Sequence, residues 1–107
     1  MKKSLRNKWT KALRSGKIQQ GMHKLLLPDK SMCCLGVLCL VSGMSPLQIR
    51  KIQITRHGRR VLNKLLNKPL LEKFGLTSEQ QELLADMNDH ETTFEEIADE
   101  IEQTVGN

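Results

Sequence analysis

The chain has no tyrosine, one Trp and two Phe, so Leu, Ile, Val and Met must fill its core. It also lacks a long apolar run. The densest one, Met32 to Val41, is too short to span a bilayer, which takes ~20 residues. Met1-Lys2-Lys3 carries the charge of a secretory leader, but the next twenty residues stay polar. Membrane and secretory readings are excluded on these grounds, and a cytoplasmic protein is expected. Internal repeats, low-complexity stretches and a dividing linker are missing as well. With 107 residues, 38% hydrophobic and 27% charged, the chain can bury one core and is too apolar for wholesale disorder. One domain over 1–107 is the expectation.

Acids are almost missing from the first two-thirds. Residues 1–70 hold 16 of the 17 Lys and Arg against one acid, Asp29, a net of +15. Residues 71–107 hold Lys73 alone against 11 acids, a net of −10. The basic part can face an external anion: nucleic acid, nucleotide phosphates or an acidic protein surface. The acidic part can equally fold back and neutralise it, within the molecule or across protomers. Symmetric dimers are the commonest oligomers, and the charge split leans towards a homodimer.

Cys33, Cys34 and Cys39 are clustered and odd in number, which suits no disulfide framework. With His23 they make four potential zinc ligands. Adjacent cysteines, however, lack the spacing of about two to four residues usual for structural zinc, and no second pair exists. Small buried hydrophobes are the expected role, with no metal and no other cofactor.

Ser4 to Ser15 reads as a first helix, capped by Ser4 and ended by Gly16. Leu5, Trp9, Ala12 and Leu13 form its apolar stripe, and Lys3, Arg6, Lys8, Lys11, Arg14 and Lys17 cover the rest. Lys17 to Leu27 reads as a loop leading into a short strand, and Pro28-Asp29-Lys30-Ser31 as a turn. Cys33 to Gly43 reads as a central helix buried on most sides, with a buried strand as the competing reading. Gly36 inside it points to another backbone packed close. Ile52-Gln53-Ile54 alternate and hint at a strand. Arg56 to Arg60 looks like a basic turn, after which Val61, Leu62, Leu65 and Leu66 restore helical spacing up to Pro69. Thr77 with Gln80, or Ser78 with Gln81, makes a capping box for a helix through Met87, with Leu83, Leu84 and Met87 facing inward. Residues 88–92 form a polar connector. Thr93 with Glu96 caps a last helix lined by Phe94, Ile97, Ala98 and Ile101. The expected fold is mainly α with at most one small hairpin, a compact helical domain around a buried central helix, its residues 71–107 an acidic helical hairpin.

A phosphate-binding glycine loop, a metalloprotease motif and a nucleophile elbow are all lacking. A Cys–His pair can be drawn from Cys33 or Cys34 with His23, His57 or His90, but an apolar setting raises a thiol's pKa rather than activating it. Asp86, Asp89 and Glu91 could meet a cation, although acids at a helix end are usually just solvated. A non-enzyme with no catalytic residues is expected. Leu76 to Glu102 looks like the first two helices of a helix-turn-helix. A recognition helix after Ile101 is not expected from the few residues up to Asn107, and the region's charge has the wrong sign for a phosphate backbone. The anion-binding candidate is Arg14, Lys17, Gln19, Gln20 and Lys24, set among Ser15, Gly16 and Gly21. Together they offer cations, amides and backbone N–H groups freed by glycine. The competing reading is a helix end whose cations complement the dipole.

The strings WTKALRSGKIQQG, CCLGVLCLVSG and LLADMNDHETTFEEIADEIE, in this order and spacing, resemble a family of small, mostly uncharacterised tailed-phage and prophage proteins. The resemblance covers residues 5–43 and 76–103, and the Cys-Cys-Leu-Gly-Val-Leu-Cys string is its most specific part. Family members often carry aromatics where Ile18 and Met32 stand here, and because this chain departs from the family there, a stacking platform for a base is not expected of it. It implies phage origin, and small phage accessory proteins often inhibit host defences by binding a defence protein or its nucleotide signal. The expectation is a non-enzymatic phage inhibitor of a host antiviral defence system, acting in the host cytoplasm. It would sequester an anionic ligand such as a nucleotide signal, or block a defence protein such as a CRISPR effector. Mimicry of nucleic acid by Glu95, Asp99 and Glu102 is a third route. The alternative is a small nucleic-acid-binding regulator.

Overall fold

The spacing of Leu5, Trp9, Ala12 and Leu13 produces an amphipathic α1 (Lys3–Arg14), with Trp9 and Leu13 buried and Leu5 and Ala12 half-buried against the core. The computed structural model describes residues 1–55 and 65–106. Ser4 does not cap α1. The helix starts one residue earlier, Lys2 takes the cap position and no side chain serves it. Tertiary contacts anchor this end instead: the Met1 ammonium donates to the carbonyls of Gly75 and Gly106, at 3.2 Å each, and Arg6 donates to the Val105 carbonyl at 3.1 Å. Gly16, with φ +72°, turns the chain out of the helix after Ser15.

The apolar run becomes α2 (Cys34–Val41), a central helix in which every residue from Cys34 to Cys39 is buried. Gly36 marks the close approach its position implies. A Cβ there would overlap the Leu25 carbonyl oxygen and sit 2.9 Å from the carbonyl carbon. The segment between α1 and α2 holds isolated bridges, Gln20 to Met32 and Leu26 to Met32, in place of the expected short strand. Met32 alone faces both arms of the loop, so no ladder can extend. The turn at Pro28 forms as expected: Lys30 N–H donates to the Leu27 carbonyl at 3.0 Å, and Leu27 N–H to the Ser31 carbonyl at 2.9 Å.

The strand expected at Ile52-Gln53-Ile54 is instead part of α3 (Pro46–Thr55). Its start is fixed locally. Ser45 N–H donates to Gln48 Oε1 at 2.8 Å, Gln48 N–H donates to Ser45 Oγ at 3.2 Å, and Pro46 occupies the first turn, where its missing N–H costs nothing. Pro69, read as a stop, belongs to the first turn of α4 (Lys68–Phe74), whose cap Asn67 accepts from Leu70 N–H at 3.0 Å. The basic turn at 56–60 and the helical spacing at Val61 and Leu62 lie outside the described residues, while Leu65 and Leu66 are not helical. Both C-terminal boxes form, Thr77 with Gln80 opening α5 (Ser78–Asp89) and Thr93 with Glu96 opening α6 (Phe94–Thr104). On α5 the inward set differs from expectation: Leu83 is 44% exposed, whereas Gln81 and Asn88 are buried.

Among the described residues the chain is thus mainly α, with α1 packed on α6 and α2, and α2 on α5 and α3. The radius of gyration, 12.4 Å, matches the ~13 Å of a compact domain of about 100 residues.

Candidate functional site

The loop after α1 is held by one buried side chain. Asn88 is fully buried near the end of α5. Its Nδ2 donates to the Gly21 carbonyl at 2.7 Å, and its Oδ1 accepts from Cys34 N–H at 3.2 Å and from Gln20 Nε2 at 3.1 Å. Gln20 also donates to the Thr92 carbonyl at 2.7 Å and accepts from Phe94 N–H at 3.0 Å. The two amides therefore join the Gly21 loop to the start of α2, the α5–α6 connector and the start of α6, which leaves the Gln20 side chain engaged within the protein. Trp9 fixes the other side, its Nε1 donating to the Cys34 carbonyl at 2.8 Å.

Arg14 is engaged as well. Its Nη2 meets Asp99 Oδ1 and its Nη1 meets Glu102 Oε1, both at 2.6 Å, a fork gripping two carboxylates on successive turns of α6. The charges reinforce one another: Arg14 holds the Glu102 carboxyl below the usual range, and the Arg14 pKa is itself raised, first by Glu102 and then by Asp99. Part of the acidic segment has folded back onto the basic one within a single chain. Gln19 and Lys24 are exposed, Gln20 borders a smaller pocket of about 300 Å³ with Met22, Glu91, Thr92 and Thr93, and Lys17 lines a larger groove.

That groove, about 590 Å³, runs between the C-terminal half of α1 and the end of α2. Lys8, Lys11, Ala12 and Ser15 stand at i, i+3, i+4 and i+7, so one helix face presents them all. Lys17 and Ile18 close one end, and Val41 contributes from α2. Ala12, Ile18 and Val41 are half-buried and apolar, whereas Lys8, Lys11 and Lys17 are exposed and have no ion-pair partner among the described residues. The arrangement is an apolar floor under three unneutralised cations. It is shallow and broadly open to solvent. Lys8 and Lys11 belong to the cationic side of the first helix in the sequence and are not among the five named candidates. Their spacing was visible, but their closure by Val41 was not.

Cys33, Cys34 and Cys39 are all buried and unpaired. Burial pushes the Cys33 thiol up to about 11 and Cys39 up to about 12, and Cys34 is raised too. Among the described residues no three His, Cys, Asp or Glu side chains converge as metal ligands would. His23 and Asp89 meet instead, Nδ1 to Oδ2 at 3.3 Å, and His90 pairs with Asp86 at 3.3 Å.

A family model described as a domain of unknown function (DUF8296) matches residues 1–44, a span that holds α1, the Gln20 loop, α2 and the whole lysine groove. No curated protein and no solved structure matches the chain.

Proposed function

We propose that this chain is a non-enzymatic binding protein that holds a nucleotide-sized anionic ligand in the groove of Lys8, Lys11 and Lys17. The observation that carries the reading is that these three lysines surround an apolar floor without carboxylate partners among the described residues, while the neighbouring Arg14 is neutralised by α6. A phosphate-bearing ligand would place its charges among the ammonium groups and its organic body on Ala12, Ile18 and Val41. The floor carries no aromatic, so a base would rest on aliphatic surface. Buried thiols with raised pKa values are poor nucleophiles, which supports binding over catalysis. Together with the resemblance to small phage proteins, this favours a phage inhibitor that sequesters the nucleotide signal of a host defence system in the host cytoplasm.

Calorimetric titration with a panel of cyclic oligonucleotides tests the reading. One member should bind, and the Lys11→Glu/Lys17→Glu double variant should bind at least ~100-fold more weakly, since each hydrogen bond to a charged group contributes ~1.5–3 kcal/mol. Absence of binding across the panel, or unchanged binding by the variant, contradicts it. Tight binding to duplex DNA, with a log–log salt slope of about −2.7 for three phosphate contacts, would favour the nucleic-acid regulator instead.

A further inference from the structure

A second concave surface, which shares no lining residue with the lysine groove, lies where α3 leans on α2. Leu26, Met32, Leu40, Pro46 and Leu47 line a pocket of about 430 Å³, with Lys30 and Arg50 on its rim. Leu47 is 74% exposed, and Ile49 is the one residue of α3 buried among those whose side chains are described. From α3 the pocket therefore receives exposed apolar surface at Pro46 and Leu47. Neither Lys30 nor Arg50 has an ion-pair partner among the described residues.

The same chain carries the complementary shape. On α5, Leu83 is 44% exposed. Glu79 precedes it by one turn, Asp86 follows by one turn, and Glu82 flanks it, all exposed. Asp86 is met only by the exposed His90, and Glu79 and Glu82 have no cationic partner among the described residues. An apolar knob ringed by acids thus faces solvent on one helix, and an apolar pocket rimmed by cations faces solvent on another.

We propose that copies of this chain associate by seating the Leu83 ridge of α5 in the pocket formed by Leu40, Pro46 and Leu47, with Lys30 and Arg50 against Glu79 and Glu82. Apolar contact supplies the attraction and the charges set the register. A pocket and one helix ridge make a small interface, so the association belongs to the weak, concentration-dependent class. Charges exposed at its rim make it sensitive to salt.

Sedimentation velocity of the full chain, over a wide concentration range at low and high salt, tests the proposal. The weight-average mass should rise above the 12.2 kDa of one chain with concentration, and less so at high salt. Arg50→Glu alone and Glu82→Lys alone should each remain at the single-chain mass, because each sets like charges across the contact. An equimolar mixture of the two should associate again, because the acid introduced in one variant then meets the cation introduced in the other. Circular dichroism melts of both variants, matching the parent, keep misfolding from imitating the result. A single-chain mass at every concentration and salt, association unaffected by either reversal, or a mixture no larger than its components would each overturn the proposal. So would a parent that stays single while a fluorescent fatty acid fills the pocket, since the occupant would then be a small amphiphile.

Discussion

Replacing Gly36 by alanine sets two effects of opposite sign against each other. Alanine is favoured over glycine inside a helix by ~1 kcal/mol, and Gly36 lies within α2. The added methyl, however, would overlap the Leu25 carbonyl oxygen and reach 2.9 Å from its carbon, both backbone atoms. No flexible side chain can swing aside there. Leu25 is fully buried, and the adjacent Leu26 and Leu27 are tied to Met32 and Ser31, so relief requires moving the whole loop off α2. Overpacking a tight core site costs ~1–3 kcal/mol, and a rigid backbone neighbour places this site at the upper end. The clash outweighs the propensity, and we expect a net loss of about 1–2 kcal/mol. For a domain of this size that lowers Tm by roughly 5–15 °C. Thermal melts followed by far-ultraviolet circular dichroism and by the fluorescence of the sole Trp, Trp9, measure it. A Gly36→Ala variant as stable as the parent, or more stable, would refute the close approach.

Asn88→Ala should destabilise more than its small volume implies. It strands the Gly21 carbonyl and Cys34 N–H, at ~1–3 kcal/mol for each unsatisfied group, and chemical denaturation at unchanged m-value would record the loss. Trp9→Ala should cost ~3–5 kcal/mol, the range for a buried large aromatic, in the same denaturation assay. The three thiols should react slowly with a thiol reagent near neutral pH and quickly only after unfolding, because burial raises all three pKa values, Cys39 to about 12. Glu102 is held below the usual carboxylate range by Arg14, so its contribution is present above the unfolded-state pKa and lost as pH falls through the lowered folded value. The pH dependence of Tm on the acid side should therefore flatten in Arg14→Gln, and an identical profile would contradict the pairing.

Elements specified by neighbouring residues were legible in the sequence. Thr77 with Gln80 and Thr93 with Glu96 announce α5 and α6 because a capping box is closed within one turn. The α1 stripe follows from apolar spacing, whereas the continuous apolar run of α2 announces burial but leaves helix and strand both open. Where two local signals compete, the weaker one misled: the alternation of Ile52 and Ile54 suggested a strand, although Ser45, Pro46 and Gln48 already spell a helix start. Pro69 was ambiguous in the same way, since proline both ends helices and opens them. The site depends on partners remote in the chain. Arg14 meets Asp99 85 residues away, and Gln20 meets Asn88 68 residues away, so neither side chain's engagement could be read from its own neighbourhood. The lysine groove exists only because α2 brings Val41 against the face of Lys8 and Lys11.

Mapping of backbone amide shifts by NMR distinguishes a ligand held in this groove from one held on the acidic outer face of α6. A titration with the cyclic oligonucleotide that binds in calorimetry should move the amides of Lys8, Lys11, Ala12, Ser15, Lys17, Ile18 and Val41, and leave Glu95, Asp99 and Glu102 in place. Shifts confined to α6, or none anywhere with saturating ligand, would contradict the account.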